Sequence, residues 1–346
     1  MAMPEITVRG AGIFGLSIAW VLTQRGARVQ VVDPYGAGSG ASGGLVGALA
    51  PHVPENWNDK KAFQLDSLLM AEAFWADVQA AGGVDPGYGR TGRLQPIADD
   101  HALELAQARC DGARGLWQGR AVWEVIATDD AGGFAPVSPS GYLIRDTLTG
   151  RMHPRQACAA LVAALRAKGV EVVSDAPDRG AVIWAAGWLG LLELSDAFGK
   201  PVGAGIKGQS AALAYDAGPV PQVFVDGLHI IPHTNGTVAI GSTSEREFDT
   251  PDGLDAQCDD LIVRAIAAMP VLADAPVVDR WAGVRPRARS RAPMLGAWPG
   301  REGHFIANGG FKIGFGMAPK VADVMADLVL DGRDTIPDGF RVQASM

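Results

Sequence analysis

A glycine motif near the N-terminus constrains this sequence more than any other feature. The β-rich run Ile6–Val8 leads directly into Gly10-x-Gly12-x-x-Gly15. An apolar helical run and a second β-rich run follow, and the second run ends at Asp33. This order of strand, glycine turn, helix, strand and acid is that of a dinucleotide-binding βαβ unit.

Each residue of the motif has a physical task in such a unit. Gly10 makes the tight turn out of the strand, and Gly15 lets the helix pack closely on the sheet. Gly12 has no Cβ, so a pyrophosphate can approach the amides at the helix N-terminus, where the helix dipole favours anions. Asp33, eighteen residues after Gly15, is placed to accept hydrogen bonds from adenosine ribose hydroxyls. The motif therefore predicts a dinucleotide site.

A run of small residues, 36–47, follows the predicted unit. It could be a flexible linker or a second loop around the cofactor. Ser39 and Ser42 offer hydroxyls that cap helices or bind phosphate. We favour the cofactor loop, because a flexible linker so close to a nucleotide fold would be unusual.

Composition limits the class of protein and its partners. The 346 residues are 48% hydrophobic and 20% charged, as in a soluble enzyme that has a large core and two domains. The net charge of −8 argues against nucleic acid as a partner. The three cysteines are isolated, and we see neither a signal peptide nor an integral membrane segment, so we expect a cytoplasmic protein.

The α/β rhythm of the N-terminus is interrupted and later resumes, which predicts two domains. The predicted fold class is α/β (α+β overall), with a Rossmann-like domain and a domain rich in β-sheet. We assign residues 1–55, 150–205 and 284–346 to the nucleotide domain, and 56–149 and 206–283 to the substrate domain. The last helix is predicted over Ala318–Leu330, after a glycine loop.

Five stretches, in this order, carry a family resemblance: Gly10–Asp33, Gly40–Pro51, Ile183–Gly187, Trp281–Pro286 and Gly309–Pro319. In them the sequence resembles the FAD-dependent D-amino-acid oxidase family, which includes glycine oxidases and monomeric sarcosine oxidases. The likeness covers most of the chain. It implies FAD as the cofactor and a β-sheet domain that faces the isoalloxazine ring.

The resemblance also implies roles for particular residues. Arg285 matches the arginine that pairs with the substrate carboxylate, and Lys312 stands where sarcosine oxidases have a carboxylate-binding lysine. No cysteine lies within 287–320, so we expect no covalent flavin bond. The residues expected to contact FAD are Gly10, Gly12, Ile13, Phe14, Gly15, Asp33, Pro34, Ser39, Ala41, Ser42, Gly43, Gly44, Leu45, Ala185, Gly187, Gly310, Phe311, Lys312, Ile313 and Gly314.

Two histidines complete the candidate catalytic set. His229 stands where D-amino-acid oxidases commonly have a tyrosine near the substrate, so we place it in the site. His52 follows the small-residue run and could either face the flavin or cap the turn. His229 and His233 have the spacing of a zinc helix, but Pro232 between them favours a strand, so we expect no metal.

The run 287–291 places arginines at alternating positions, Arg287, Arg289 and Arg291. In a strand these side chains would share one face. They could form a solvated edge or a basic funnel for an acidic substrate.

The predicted function is FAD-dependent oxidation of a small amino acid, D-configured, glycine-like or N-methylated, to an imine that hydrolyses. The protein needs residues that orient the substrate, here Arg285 and Lys312, more than an acid–base pair. The electron acceptor is oxygen or an electron carrier, and the oligomeric state is left open. The alternatives are a flavin or nicotinamide enzyme acting on a non-amine substrate and a flavin-binding subunit without turnover.

Overall fold

The computed structural model describes residues 3–346, which form two large β-sheets with helices packed on them. The strands are β1 (Glu5–Arg9), β2 (Arg28–Val32), β3 (Ala48–Leu49), β4 (Arg93–Pro96), β5 (Trp123–Ala127), β6 (Tyr142–Asp146), β7 (Gly150–Arg151), β8 (Val172–Val173), β9 (Ala181–Trp184), β10 (Gly203–Ala214), β11 (Gln222–Val225), β12 (Leu228–Pro232), β13 (Thr237–Gly241), β14 (Val277–Ala288), β15 (Met294–Ala297) and β16 (His304–Asn308). The helices are α1 (Ile13–Gln24), α2 (Asp59–Gly82), α3 (Asp100–Leu116), α4 (Pro154–Ala167), α5 (Gly187–Ala197), α6 (Ala256–Ala268) and α7 (Gly314–Asp331).

The first sheet has six strands in the order β15-β16-β9-β1-β2-β8. All of its pairings are parallel except that of β15 with β16. The carboxyl ends of β1, β2, β9 and β16 therefore meet at one edge, where open α/β sheets bind their ligands. The helix α1 connects β1 to β2 beneath this edge, as the glycine motif predicts.

The second sheet has eight strands in the order β14-β10-β13-β12-β11-β4-β6-β5. Its two longest strands, β10 and β14, are antiparallel along nearly their whole length, with Gly208 opposite Gly283. The helix α6 covers this sheet with Leu261 and Ala265, both buried in an apolar cluster with β12 and β13. This sheet matches the β-rich region that the sequence predicts after residue 205.

A shared core joins the helices of the first sheet. Trp20 of α1 and Trp75 of α2 are buried in the same cluster, which also includes Met325 of α7. The helix α2 packs on α4 and α7. By packing, residues 59–82 thus lie with the first sheet, whereas the sequence analysis assigns them to the substrate domain. The domain boundaries as such remain a prediction.

One local expectation, the start of the last helix, is wrong. The last helix begins at Gly314 and not at Ala318, because the glycine loop 309–313 ends earlier than its composition suggests. The arginines of 287–291 do not share a strand face: β14 ends at Ala288, and Arg291 has φ 59°. Of the three, only Arg287 lies in the strand.

Within residues 3–346, no helix is both long and apolar enough to cross a membrane. Cys110, Cys158 and Cys258 form no disulfide.

Candidate active site

A cavity of about 630 Å³ lies against the carboxyl edge of the first sheet and one face of the second. Its wall includes the glycine motif, the ends of β2 and β9, the strand β14 and the loop before α7. Nineteen of the predicted site residues line it, namely Gly10, Gly12, Ile13, Phe14, Asp33, Pro34, Ser39, Ala41, Ser42, Gly44, Leu45, Ala185, Gly187, His229, Arg285, Gly310, Phe311, Lys312 and Gly314. The fold thus brings together residues that are more than 300 positions apart.

The glycine motif forms an anion cradle at one end of the cavity. Gly10 has φ +111°, and a Cβ at Gly15 would lie 1.9 Å from the Gly10 carbonyl oxygen, so the turn fits against α1 only with glycine at both positions. The amides of Gly12 and Phe14 donate to no acceptor in residues 3–346. Free amides at a helix N-terminus suit a pyrophosphate, so this end fits the phosphates of FAD.

The loop after β2 supports this cradle. The Ser42 hydroxyl accepts a hydrogen bond from the Ile13 amide at 2.9 Å, which joins the loop to the start of α1. The Asp33 carboxylate accepts from the Ala11 amide at 2.7 Å and from the Tyr35 amide at 2.9 Å. Asp33 therefore holds the turn in place. Each of its oxygens keeps a lone pair for a ribose hydroxyl.

Four predicted residues do not line the cavity: Gly15, Gly43, Ile313 and His52. Gly15 acts through its packing against the Gly10 turn, and a Cβ at Gly43 would lie 2.5 Å from the Gly38 carbonyl oxygen. Ile313 precedes α7 and donates its amide to the Gly310 carbonyl oxygen at 3.0 Å. His52 contacts Gln64 of α2 instead, both through its ring and through its amide. These contacts favour the interpretation that His52 caps the turn over the one in which it faces the flavin.

Arg285 lies in the part of the wall that the second sheet contributes, on β14, and is 8% exposed. Its Nη1 donates to the Ser242 hydroxyl at 2.6 Å, and its Nη2 donates to the carbonyl oxygens of Thr243 at 2.6 Å and Lys207 at 3.3 Å. Its Nε–H has no partner in residues 3–346. Burial lowers the pKa of Arg285 to about 10, and the guanidinium stays charged at neutral pH.

The position of Arg285 depends on Gly208. The strand β10 lies between β14 and β13 in the sheet. The Arg285 side chain, which starts on β14, must therefore cross β10 to reach Ser242 and Thr243, the two residues that follow β13 in the sequence. A Cβ at Gly208 would lie 1.6 Å from Nη2 of Arg285. The missing side chain at Gly208 is what admits the guanidinium.

A buried polar network lies next to Arg285, and the sequence analysis missed it. Lys207 and Glu245 form an ion pair at 3.3 Å, and both side chains are less than a tenth exposed. Gln209 donates to Glu245 at 3.2 Å and to Asp255 at 2.8 Å. The signal available in the sequence is the pair Lys207 and Gln209 within an otherwise apolar and glycine-rich strand, because such residues need partners when buried.

Lys312 and Phe311 form the wall beside Arg285. Nζ of Lys312 lies 5.9 Å from the centroid of the Phe311 ring, and Cζ of Arg285 lies 5.8 Å from it. Burial, and secondarily the charge of Arg285, lower the pKa of Lys312 to about 8. The side chain nevertheless keeps substantial exposure to the cavity. We therefore treat Lys312 as a cation that faces the cavity at neutral pH.

His229 faces the same end of the cavity from β12. Its ring packs on Phe224 with centroids 4.6 Å apart, and its Nδ1 has no partner in residues 3–346. Burial, and then the charges of Arg93 and Lys312, lower the pKa of His229 to about 3. The imidazole is thus neutral at physiological pH.

Comparison with known proteins adds independent findings. Residues 5–328 match the model of the family described as FAD dependent oxidoreductase. The chain is 28% identical to a glycine oxidase of Pseudomonas putida, with 96% of each chain covered. Its fold is similar to those of a glycine oxidase from Geobacillus kaustophilus (TM-score 0.83, 20% identity, 98% and 99% covered) and an iminodiacetate oxidase from Chelativorans sp. BNC1 (TM-score 0.78, 20% identity, 97% and 98% covered). The predicted resemblance and fold class are confirmed.

Proposed function

We propose that this protein, which belongs to the FAD dependent oxidoreductase family, oxidises a small amino acid or N-substituted amino acid at the carbon next to its carboxylate. The observation that carries the proposal is Arg285, a buried guanidinium that lines the same cavity as the phosphate cradle and has no carboxylate partner in residues 3–346. The relatives named glycine oxidase support the same reaction class, since that name describes oxidation of an amino acid.

FAD is the cofactor, as predicted, and the residues present fit it. The free amides of Gly12 and Phe14 would hold its pyrophosphate, and Asp33 would accept from its ribose. The flavin supplies the redox chemistry, accepting the hydride equivalent that leaves the substrate Cα. Residues of this chain supply binding, orientation and charge.

Arg285 binds the substrate carboxylate and thereby orients the Cα–H. Three of its N–H groups are anchored on Ser242, Thr243 and Lys207, so the guanidinium has one fixed position before substrate arrives. A preorganised cation loses little entropy on binding, and the remaining N–H of Nη1 can donate to a carboxylate. Orientation of the reacting bond is the main contribution asked of this residue.

Lys312 and His229 act on the amine. The amine must lose its proton before it can become an imine, and the positive charges of Lys312 and Arg285 lower the pKa of a neighbouring ammonium. The neutral His229 ring lines the cavity and packs on Phe224, so it shapes the site of the amine without adding charge. No acid–base pair is required, and the imine hydrolyses to an oxo acid and ammonia or an amine.

We expect oxygen or an electron carrier to receive the electrons in turn, and the cytoplasmic location stays a prediction. The oligomeric state stays open. The identity of the amino acid is addressed by experiment.

An anaerobic screen tests the proposal. Glycine, N-methyl amino acids and D-amino acids are mixed with the yellow protein without oxygen, and the flavin absorbance is followed. We expect bleaching by at least one amino acid and none by its amide, which lacks the anionic carboxylate. A flavin that stays oxidised with every amino acid but bleaches with a non-amine substrate would overturn the proposal. A flavin that no compound bleaches would favour a binding subunit.

A further inference from the structure

Three cations surround one aromatic ring at the substrate end of the cavity. Cζ of Arg285, Cζ of Arg287 and Nζ of Lys312 lie 5.8, 5.9 and 5.9 Å from the centroid of Phe311. The backbone fixes this arrangement, because the Phe311 amide donates to the Pro286 carbonyl oxygen at 2.9 Å and Gly310 forms a β-bridge with Arg287. Phe311 has φ 45°, a conformation that non-glycine residues adopt rarely and mostly where function demands it.

These cations lack acidic partners. None of the three forms a salt bridge with a carboxylate anywhere in residues 3–346. The acceptors of Arg285 are a hydroxyl and two carbonyl oxygens, which are neutral. Glu245, the nearby carboxylate that influences Arg285, is already paired with Lys207. The positive charge of the cluster is therefore not cancelled within the protein.

One substrate carboxylate would neutralise only one of these charges. Clustered cations repel one another, and holding them beside a partly dry cavity costs free energy unless an anion joins them. Arg285 and Lys312 line the cavity, whereas Arg287 adds charge from beside the ring. When one carboxylate binds Arg285, the charges of Lys312 and Arg287 therefore still lack a counter-charge in residues 3–346.

We propose that the preferred substrates are amino acids with a second acidic group, on the nitrogen substituent or on the side chain, and that Lys312 binds this second group. The inference rests on the proposed amino-acid oxidation and narrows its substrate class. It assigns Arg285 to the α-carboxylate that every amino acid carries. Lys312, supported by Arg287, selects for the additional negative charge.

Matched substrate pairs test the inference. Sarcosine and iminodiacetate differ only in a carboxylate on the nitrogen substituent, and D-alanine and D-aspartate differ only in one on the side chain. We measure kcat/KM for each pair in the wild type and in Lys312→Met, Lys312→Arg and Arg289→Met. Arg289→Met is the matched control, because Arg289 is exposed and lies outside β14, and because this substitution removes one positive charge just as Lys312→Met does.

The wild type should prefer the diacid of at least one pair. Lys312→Met also removes a charge that lowers the amine pKa, so it should lower kcat/KM for both members of the pair. It should lower kcat/KM for the diacid up to about fivefold more than for its monoacid, the discrimination expected of an exposed ion pair. Lys312→Arg should restore most of the preference, and Arg289→Met should leave it unchanged. Flavin content and melting temperature verify that each variant is folded.

Two results are informative in different ways. If the wild type oxidises monoacids at least as well as diacids, or if Lys312→Met lowers both equally, the second anion site is refuted while amino-acid oxidation stands. If no amino acid reduces the flavin at all, the proposed function itself is refuted.

Discussion

Replacing Arg285 by lysine tests the carboxylate site most specifically. Lysine keeps the positive charge, but one ammonium cannot bind Ser242, Thr243 and Lys207 and also donate to the substrate carboxylate from the same fixed position. Hydrogen bonds to charged groups contribute about 1.5–3 kcal/mol each. Loss of the charge-assisted hydrogen bond to the carboxylate and of the fixed position of the cation should therefore cost about 2–4 kcal/mol of transition-state stabilisation, within the range for truncating buried charge pairs.

The assay is kcat/KM for flavin reduction, measured with an amino acid and with its amide. The predicted free-energy loss corresponds to a fall of about 30- to 1,000-fold on the acid. The amide, already a poor substrate, should be nearly indifferent to the change, and flavin content should be that of the wild type. Arg289→Lys serves as the control for a conservative change at an exposed arginine. Equal losses on acid and amide would show that Arg285 has a structural role and does not bind the carboxylate.

Three further predictions concern the supports of the site. Gly208→Ala should displace the Arg285 guanidinium, since the new Cβ would lie 1.6 Å from Nη2, and should lower kcat/KM on the acid at normal flavin content; an unchanged kcat/KM would contradict this. Gly12→Val should abolish flavin binding, because its branched side chain would fill the phosphate approach and press on the Ser42 hydroxyl, 3.2 Å from an added Cβ; normal flavin content on acid extraction would place the phosphates elsewhere. His233 accepts protons near pH 6.5 when unfolded but only near pH 4 when folded, because burial lowers its pKa to about 4. The contribution of His233 to the free energy of unfolding is therefore complete above pH 6.5 and is lost as the pH falls toward 4, by up to about 3 kcal/mol. In urea unfolding, the free energy of unfolding of His233→Gln should depend less on pH than that of the wild type. The same pH dependence in both proteins would show that burial of His233 does not lower its pKa.

The sequence predicted the cofactor end well because its geometry is local. The turn at Gly10, the helix start after Gly12 and the strand that ends at Asp33 follow from one contiguous motif. The family resemblance also pointed to Arg285 and Lys312, and both residues line the cavity.

The substrate end was less predictable because it depends on register between distant strands. The acceptors of Arg285 come from β10 and from the residues after β13, and Gly208 makes room for the guanidinium only in this register of β10 with β14. The buried pair of Lys207 and Glu245 has the same origin. The alternation of arginines in the run 287–291 did not reveal that β14 ends within this run. The contact of His52 with Gln64 could not be predicted without knowing where α2 lies.

One single-turnover measurement tests directly whether amino-acid oxidation is coupled to flavin reduction. The protein is mixed anaerobically with its best amino acid from the screen, and the oxo acid formed is compared with the FAD reduced. We expect one oxo acid per FAD bleached, and acid denaturation afterwards should release unmodified FAD. Flavin that bleaches without formation of an oxo acid, or oxo acid that forms while the flavin stays oxidised, would contradict the account.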